Sequence, residues 1–190
     1  MIRTPDGRPD KYAQIERERR YLLRRLPLAL QGSGDYVRII DRYLPESALR
    51  LRRMERPDGE TVSLKLARKW ATPEMPPEET NITNLYLSPA EYALLARLPA
   101  ATLHKRRYTL LHEGRRFSVD QFDGPLEGLV LAEMHLFPEI ESVTGCPLPD
   151  CVREVTAEPA FGGGRLAQLG PAEARAWVRV VVAGAKENDG

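Results

Sequence analysis

The sequence of 190 residues has no long hydrophobic segment. A helix that spans a bilayer needs roughly 18 or more consecutive apolar residues, and no stretch of the chain approaches that length. Residues 1–6 also lack the apolar region of a signal peptide. We therefore expect a cytoplasmic protein with no membrane partner.

Cysteine is also scarce. The chain has two cysteines, Cys146 and Cys151, which enclose the sequence PLPD. Two cysteines are too few for a disulfide scaffold, and they lack the paired CxxC spacing of a zinc site. We expect both thiols to be free.

Neither acidic nor basic residues are in clear excess. The chain has 28 Lys+Arg and 27 Asp+Glu, which gives a net charge of +1. Binders of duplex nucleic acid or of acidic membranes usually carry a visible basic excess, so we expect neither partner. Lysine is rare among the cations, with five residues, and arginine supplies the other 23. The planar fork of arginine suits carboxylate and phosphate, although an arginine-rich genome explains the bias equally well.

The length and the hydrophobic content of 42% predict one globular domain over residues 1–190. Alternation of apolar and polar residues with a period of two dominates and predicts nine strands. They cover residues 14–23, 36–44, 48–55, 60–68, 82–87, 105–112, 115–122, 129–136 and 152–156. Short glycine-containing turns, such as residues 57–59 and 112–114, predict that the sheet is largely antiparallel.

Helical patterns are fewer. Ser88, followed by Pro89 and Glu91, is typical of a helix N-terminus and predicts a helix that continues to Leu98. We also expect a short helix over 138–143 and a C-terminal helix over about 171–185. The valine-rich residues 178–182 leave a strand open as the alternative for that last segment. Residues 72–80, with three prolines, predict a loop.

Charged residues recur on one face of most of the predicted strands. Glu16, Glu18 and Arg20 alternate with apolar residues on the first strand, and Arg50 and Arg52 do so on the third. The same alternation places Lys65, Lys105, Arg107, Asp120, Glu133 and His135 on later strands. If the strands close into a barrel whose apolar outside is covered by helices, these charges line a tunnel.

A sandwich whose charged faces meet water is the alternative, and the pattern repeated over six strands favours the tunnel. Buried charges are costly unless they pair closely or bind a ligand. A polyanion with a divalent metal satisfies both signs, because carboxylates hold the metal while arginine and lysine take phosphate oxygens.

The ordered set of strand motifs resembles the CYTH family, the triphosphate tunnel metalloenzymes. The segment IERERRYLL at 15–23 is similar to the family's ExExK strand, with Glu16 and Glu18 at the carboxylates and Arg20 at the lysine. The other matching segments, in family order, are IDRYL at 40–44, LRLR at 49–52, LK at 64–65, KRRY at 105–108, VDQFDG at 119–124, AEMH at 132–135 and REVT at 153–156. Each motif is unspecific alone, whereas the ordered set is specific and spans about residues 14–170.

The resemblance implies an α+β fold, in which an antiparallel β-barrel of about eight strands forms a charged tunnel flanked by helices. It implies magnesium or manganese as the cofactor and a triphosphate or polyphosphate as the ligand. The implied metal-binding residues are Glu16, Glu18, Asp120, Glu133, His135 and Glu154. The implied phosphate-binding residues are Arg20, Arg50, Arg52, Lys65, Lys105 and Arg107, of which we expect Arg52 to grip phosphate and not to pack. The implied catalytic residues are Glu16, Glu18, Arg20 and Tyr43.

The chain departs from the family pattern mainly in its acidic residues. His135 stands where the family has the second Glu of an ExE pair, and an imidazole suits manganese better than magnesium. Asn84 is neutral at another acidic position, and Arg20 replaces a lysine but hardly gives up a proton. Residues 159–165, PAFGGGR, replace a basic, tyrosine-containing loop of the family.

Three functions follow from this resemblance. The first is a metal-dependent triphosphatase acting on inorganic tripolyphosphate or a small organic triphosphate. The second is a binder of polyphosphate or nucleotide without catalysis, and the third, which has less support, is a class IV adenylyl cyclase. The oligomeric state, monomer or homodimer, stays open.

Overall fold

A computed structural model describes residues 10–137 and 145–184, together with Ile2 and Gly7. Within this part of the chain nine strands and three α-helices form. The strands are β1 (Gln14–Leu23), β2 (Val37–Tyr43), β3 (Leu49–Glu55), β4 (Thr61–Trp70), β5 (Glu79–Tyr86), β6 (Ala101–His112), β7 (Arg115–Phe122), β8 (Val130–His135) and β9 (Cys151–Glu154). The helices are α1 (Pro89–Leu95), α2 (Gly163–Gln168) and α3 (Pro171–Gly184).

All nine predicted strands are therefore confirmed, with shifts of a few residues at their ends. The predicted helix over 138–143 lies outside the described residues. The turn between β3 and β4 contains Gly59, whose φ of 93° is a conformation that residues other than glycine rarely adopt.

Eight of the strands close into an antiparallel barrel. The order is β5-β4-β3-β2-β6-β7-β8-β1, and pairing of β1 with β5 completes the circle. One edge of β1 is shared, because residues 14–17 pair with β5 whereas residues 21–23 pair with β9. Between these two partners, the Arg20 amide donates to Thr156 Oγ1 at 3.0 Å. The predicted closed, antiparallel barrel is confirmed.

The outer face of β1, β7 and β8 carries one apolar core. Tyr21, Phe117 and Met134 belong to it, and Leu30 and Leu148 from connecting segments cover it. Among the described residues, no α-helix contributes to this core. The covering residues come from a short 3-10 turn at Leu28–Leu30 and from the segment before β9.

A second apolar core lies on the inner side at one end of the barrel. Leu22 and Leu131 continue the faces that carry Arg20 and Glu133, because side chains two residues apart on a strand share a face. They pack with helices α2 and α3, which contribute Leu166, Ala174 and Val178. The bore is thus charged along part of its length and closed by apolar packing at this end.

The structure decides between helix and strand for the C-terminal segment and adds one helix that was not predicted. Residues 171–184 form a helix, not a strand, because Ala174 and Val178, four residues apart, lie on one helical face against the core. Helix α2 was not predicted, since two glycines at its start are unfavourable in a helix. Helix α1 is confirmed, although it ends at Leu95 and not at Leu98, and it begins with a capping box, in which Ser88 and Glu91 bind each other's backbone amides.

Cys146 and Cys151 form a disulfide, with their Cα atoms 5.6 Å apart. The expectation of free thiols is therefore wrong. The intervening PLPD segment turns back on itself, so that the Cys151 amide donates to the Leu148 carbonyl at 3.0 Å and the two cysteines meet.

Among the described residues, no helix is long and apolar enough to cross a membrane.

Candidate functional site

Most of the predicted site residues line one cavity inside the barrel, which we call the tunnel cavity. Its volume is about 370 Å³, within the range of small-molecule sites. The predicted residues that line it are Glu16, Glu18, Arg20, Tyr43, Arg50, Arg52, Lys105, Arg107, Glu133 and His135. Lys69, Phe122, Leu131, Phe161 and residues 162–164 also line it.

Asp120 lies beneath the tunnel cavity as the counter-ion of two cations. Its side chain is 1% exposed, and it accepts hydrogen bonds from Arg107 at 2.7 and 2.6 Å and from the Lys105 ammonium. Burial by itself lowers the pKa of Arg107, but the charges of Asp120 and Glu133 outweigh it and raise that pKa well above its ordinary value. Asp120 is occupied by ion pairing, and the structure does not bring it into the group of metal-binding side chains.

Asp41 plays the same part for two arginines, and the sequence analysis missed it. Its carboxylate binds Arg52 through two hydrogen bonds of 2.6 and 2.7 Å, and Arg50 Nε lies 3.6 Å away. Burial raises the pKa of Asp41, but Arg52 and Arg50 outweigh it, so the net shift is strongly downward. The available signal was the position of Asp41, which shares a strand face with Tyr43.

Arg52 was expected to bind phosphate without packing against the protein, and the structure differs in the second respect. Its side chain is 9% exposed and is packed against Asp41 in a bidentate pair. The residue faces the tunnel cavity, as expected, but it is also a buried structural element. Removing its charge would leave Asp41 buried without its main counter-ion.

Glu133 is shared by Arg20 and Arg107. Arg20 Nε donates to it at 3.2 Å, Arg107 donates to its other oxygen, and Arg20 also binds Glu18 at 2.9 Å. Burial raises the pKa of Glu133, yet these arginines outweigh it and hold the pKa well below its ordinary value. Glu133 is thus ionised and engaged with cations.

Glu16, Glu18 and His135 form the group that could hold a metal ion. One ligand atom from each residue lies within 4.8 Å of the others. Register explains the meeting, because Glu18 is directly opposite His135 on β8, and Glu16 is two residues before Glu18 on the same face. We call these three residues the metal-binding group.

Lys69 from β4 reaches the metal-binding group, which the sequence analysis did not predict. Its ammonium contacts Glu16 and lies 3.9 Å from Glu18 Oε1. Burial raises the pKa of Glu16, but Lys69 outweighs it and the pKa falls below its ordinary value. The predicted fourth strand ended at residue 68, whereas β4 continues to Trp70 and includes Lys69.

Tyr43 lies at the apolar side of the tunnel cavity against residues 162–164. Burial, together with the charge of Asp41, raises the pKa of Tyr43 to about 12. A Cβ on Gly163 would stand 2.1 Å from the Tyr43 hydroxyl oxygen, so only glycine allows this approach. The triple glycine thus fits the phenol into the wall of the cavity.

Three predicted positions lie away from this cavity. Lys65 is opposite Arg52 in register but sits 5.5 Å from the centre of the Tyr86 ring, outside the cavity lining. Glu154 on β9 lies 3.8 Å from Arg19, outside the lining as well, and is not brought to the metal-binding group. Asn84 is exposed and also lies outside the lining.

Comparison with known proteins identifies the fold. No family profile matches the chain, and no curated protein matches it. Among solved structures, the hypothetical protein NE1496 is 22% identical, with a TM-score of 0.54 over 80% of this chain and 97% of that one. The inorganic triphosphatase NE1496 is 21% identical, with a TM-score of 0.52 over 80% and 93%. The chain therefore shares the fold of these solved structures, a closed antiparallel barrel, which is the fold that the resemblance to the CYTH family implies.

Proposed function

We propose that this protein hydrolyses a triphosphate, either inorganic tripolyphosphate or a small organic triphosphate, inside the tunnel cavity and with a divalent metal. The observation that carries the proposal is that basic side chains and the metal-binding group line one cavity. Guanidinium and ammonium groups bind phosphate oxygens, whereas carboxylates bind divalent metals. The shared fold with a solved inorganic triphosphatase supports the same reaction class.

The basic residues bind the phosphates, and Arg20 and Arg107 keep their charge. The carboxylates around Arg20 and Arg107 outweigh their burial and raise both pKa values. Arg20 therefore acts through a fixed positive charge and not as an acid or base. Arg50 and Arg52 extend the basic wall along β3, and Lys105 adds to it from β6.

The metal-binding group fits a divalent ion by the chemistry of its donors. Two carboxylates suit magnesium or manganese, and the imidazole of His135 favours manganese. The chemistry that such an ion supplies when bound is neutralisation of charge on the phosphate oxygens. Although burial opposes it, Lys69 lowers the pKa of Glu16, so this carboxylate is ionised at neutral pH.

Tyr43 donates a hydrogen bond in this scheme. Because its pKa is raised to about 12, the phenol keeps its proton at neutral pH. It can then donate to a phosphate oxygen at the apolar side of the cavity. The protein's part in phosphoryl transfer is chiefly positioning and charge stabilisation, while water attacks the terminal phosphorus in line with the bridging oxygen.

A binder without catalysis is the second candidate, and one observation favours it. Glu133 is bound by Arg20 and Arg107, which leaves two carboxylates and one imidazole for the metal. A thinner set of acidic ligands holds metal less well, whereas five of the six predicted phosphate-binding residues line the cavity.

Phosphate release from tripolyphosphate, measured with malachite green in magnesium or manganese, separates the two candidates. We expect release that depends on metal and is lost in Glu18→Gln, which keeps the shape of the side chain. Glu60→Gln, at an exposed site, is the matched control and should keep wild-type turnover. Calorimetric binding of tripolyphosphate without release above the Glu18→Gln level would reject the enzyme and support the binder.

A further inference from the structure

Lys69 is the cation in contact with the metal-binding group. It lies on β4 opposite Ile82, and its half-buried side chain crosses to Glu16 on β1. The ammonium contacts Glu16 Oε2 and is 3.9 Å from Glu18 Oε1, so it sits between the two carboxylates. It also lines the tunnel cavity, where phosphate would lie.

A divalent ion and this ammonium compete for the two glutamates. Carboxylate oxygens bind magnesium or calcium at roughly 2.0–2.6 Å, which places the ion where the ammonium now makes its contact with Glu16. The two cations also repel each other at short range. Metal binding at Glu16 Oε2 therefore displaces Lys69 from that oxygen.

The other carboxylates against the tunnel cavity already have counter-ions. Asp41 is bound by Arg52, and Asp120 is bound by Lys105 and Arg107. Glu133 is likewise bound by two arginines. An anion in the tunnel cavity is then the natural partner for the displaced ammonium.

We propose that Lys69 holds Glu16 and Glu18 in the metal-free protein and passes to a phosphate oxygen when the metal binds, so that it couples the two ligands. This inference rests on the proposed function, since it assumes a metal at this group and a phosphate in the cavity. If the metal binds alone, the Lys69 ammonium loses its carboxylate partner. If the anion binds alone, the ammonium stays in contact with Glu16. Each ligand thus favours the other, and by linkage the effect is equal in both directions.

Manganese binding measured directly tests this coupling without any turnover. Titration followed by the EPR signal of free Mn²⁺ is carried out with and without a non-hydrolysable methylene analogue of tripolyphosphate. In the wild type we expect the analogue to tighten Mn²⁺ binding about 5- to 150-fold, the usual range for coupled sites. In Lys69→Met, which keeps length and removes charge, we expect tighter Mn²⁺ binding without the analogue and a much smaller effect of adding it.

Arg68→Met is the matched control, because Arg68 is the neighbouring cation on β4 and stacks on Trp70 at 5.1 Å, away from the glutamates. It should keep the wild-type coupling. If Lys69→Met does not fold by circular dichroism, Lys69→Gln replaces it. The inference is overturned if the Lys69 variant binds Mn²⁺ without the analogue no more tightly than the wild type does. It is also overturned if the analogue tightens Mn²⁺ binding in the variant as much as in the wild type. Wild-type protein that binds no Mn²⁺ in either condition overturns both this inference and the metal-dependent function, whereas binding without coupling overturns this inference alone.

Discussion

Replacement of Asp41 by asparagine tests whether the cations of the tunnel cavity depend on buried carboxylates in the ligand-free protein. Asp41 is 1% exposed, and its two short hydrogen bonds hold Arg52, which is itself buried. Asparagine keeps the shape but removes the charge, and its amide NH₂ opposes a guanidinium donor. The variant therefore leaves Arg52 buried without its main counter-ion.

The magnitude follows from the burial of the pair. Removing one partner of a buried ion pair costs about 3–5 kcal/mol, and 1 kcal/mol corresponds to roughly 2–4 °C in a chain of this size. We expect Asp41→Asn to lower the melting temperature by roughly 6–20 °C. Glu60→Gln removes a pair with Arg56 in which both side chains are 62% exposed; that change should cost about 1 kcal/mol or less.

The contribution of Asp41 to folding stability should also depend on pH. The folded pKa of Asp41 lies below its unfolded value, so its stabilising contribution is complete above about pH 4 and is lost as the pH falls further. The stability difference between wild type and Asp41→Asn should therefore shrink on acidification below about pH 4. Thermal unfolding by circular dichroism at neutral and acidic pH measures both quantities. A loss under about 4 °C at neutral pH, equal to that of the surface control, would refute the reasoning.

Three further predictions concern the metal, the glycine loop and helix α1. His135→Glu should lower the ratio of Mn²⁺ to Mg²⁺ affinity by about tenfold or more, because a carboxylate oxygen replaces an imidazole nitrogen. Calorimetric titration of each ion measures this ratio. An unchanged ratio would show that His135 does not bind the metal. Gly163→Ala should destabilise by about 1–3 kcal/mol through its clash with Tyr43, whereas Gly34→Ala, with open space around it, serves as the control in thermal unfolding. Ser88→Ala should cost about 0.5–2 kcal/mol in urea unfolding by loss of the helix cap and should leave Mn²⁺ affinity at the wild-type value.

The strands and the faces of the site were predictable because alternation is a local property. Glu16, Glu18 and Arg20 follow a period of two, so their shared face could be read directly from the sequence. Which charges meet across the barrel depends on the register of strands far apart in the chain. Asp41 and Asp120 therefore emerged as counter-ions, and Lys69 as a partner of Glu16, only in three dimensions.

Three other features lay beyond the sequence for physical reasons. Helix α2 begins with two glycines of low helix propensity and is held by packing of Leu166 in the inner core. The disulfide of Cys146 depends on a turn at two prolines, which spacing alone does not define. The residues that cover the core on the outer face of β1, β7 and β8, such as Leu30, lie in connecting segments. Such segments have no periodic pattern from which their packing could be predicted.

The nearly equal numbers of acidic and basic residues acquire a physical meaning in this barrel. Without ligand, the charges of the tunnel cavity neutralise one another, as in the contacts of Arg52 with Asp41 and of Lys69 with Glu16. An anion that entered alone would have to compete with carboxylates, and a metal that entered alone would have to displace an ammonium. When both enter, the Lys69 ammonium that the metal displaces can pair with the anion, so the buried net charge changes less than with either ligand alone. This balance favours a ligand that carries its own cation, as a metal-bound triphosphate does.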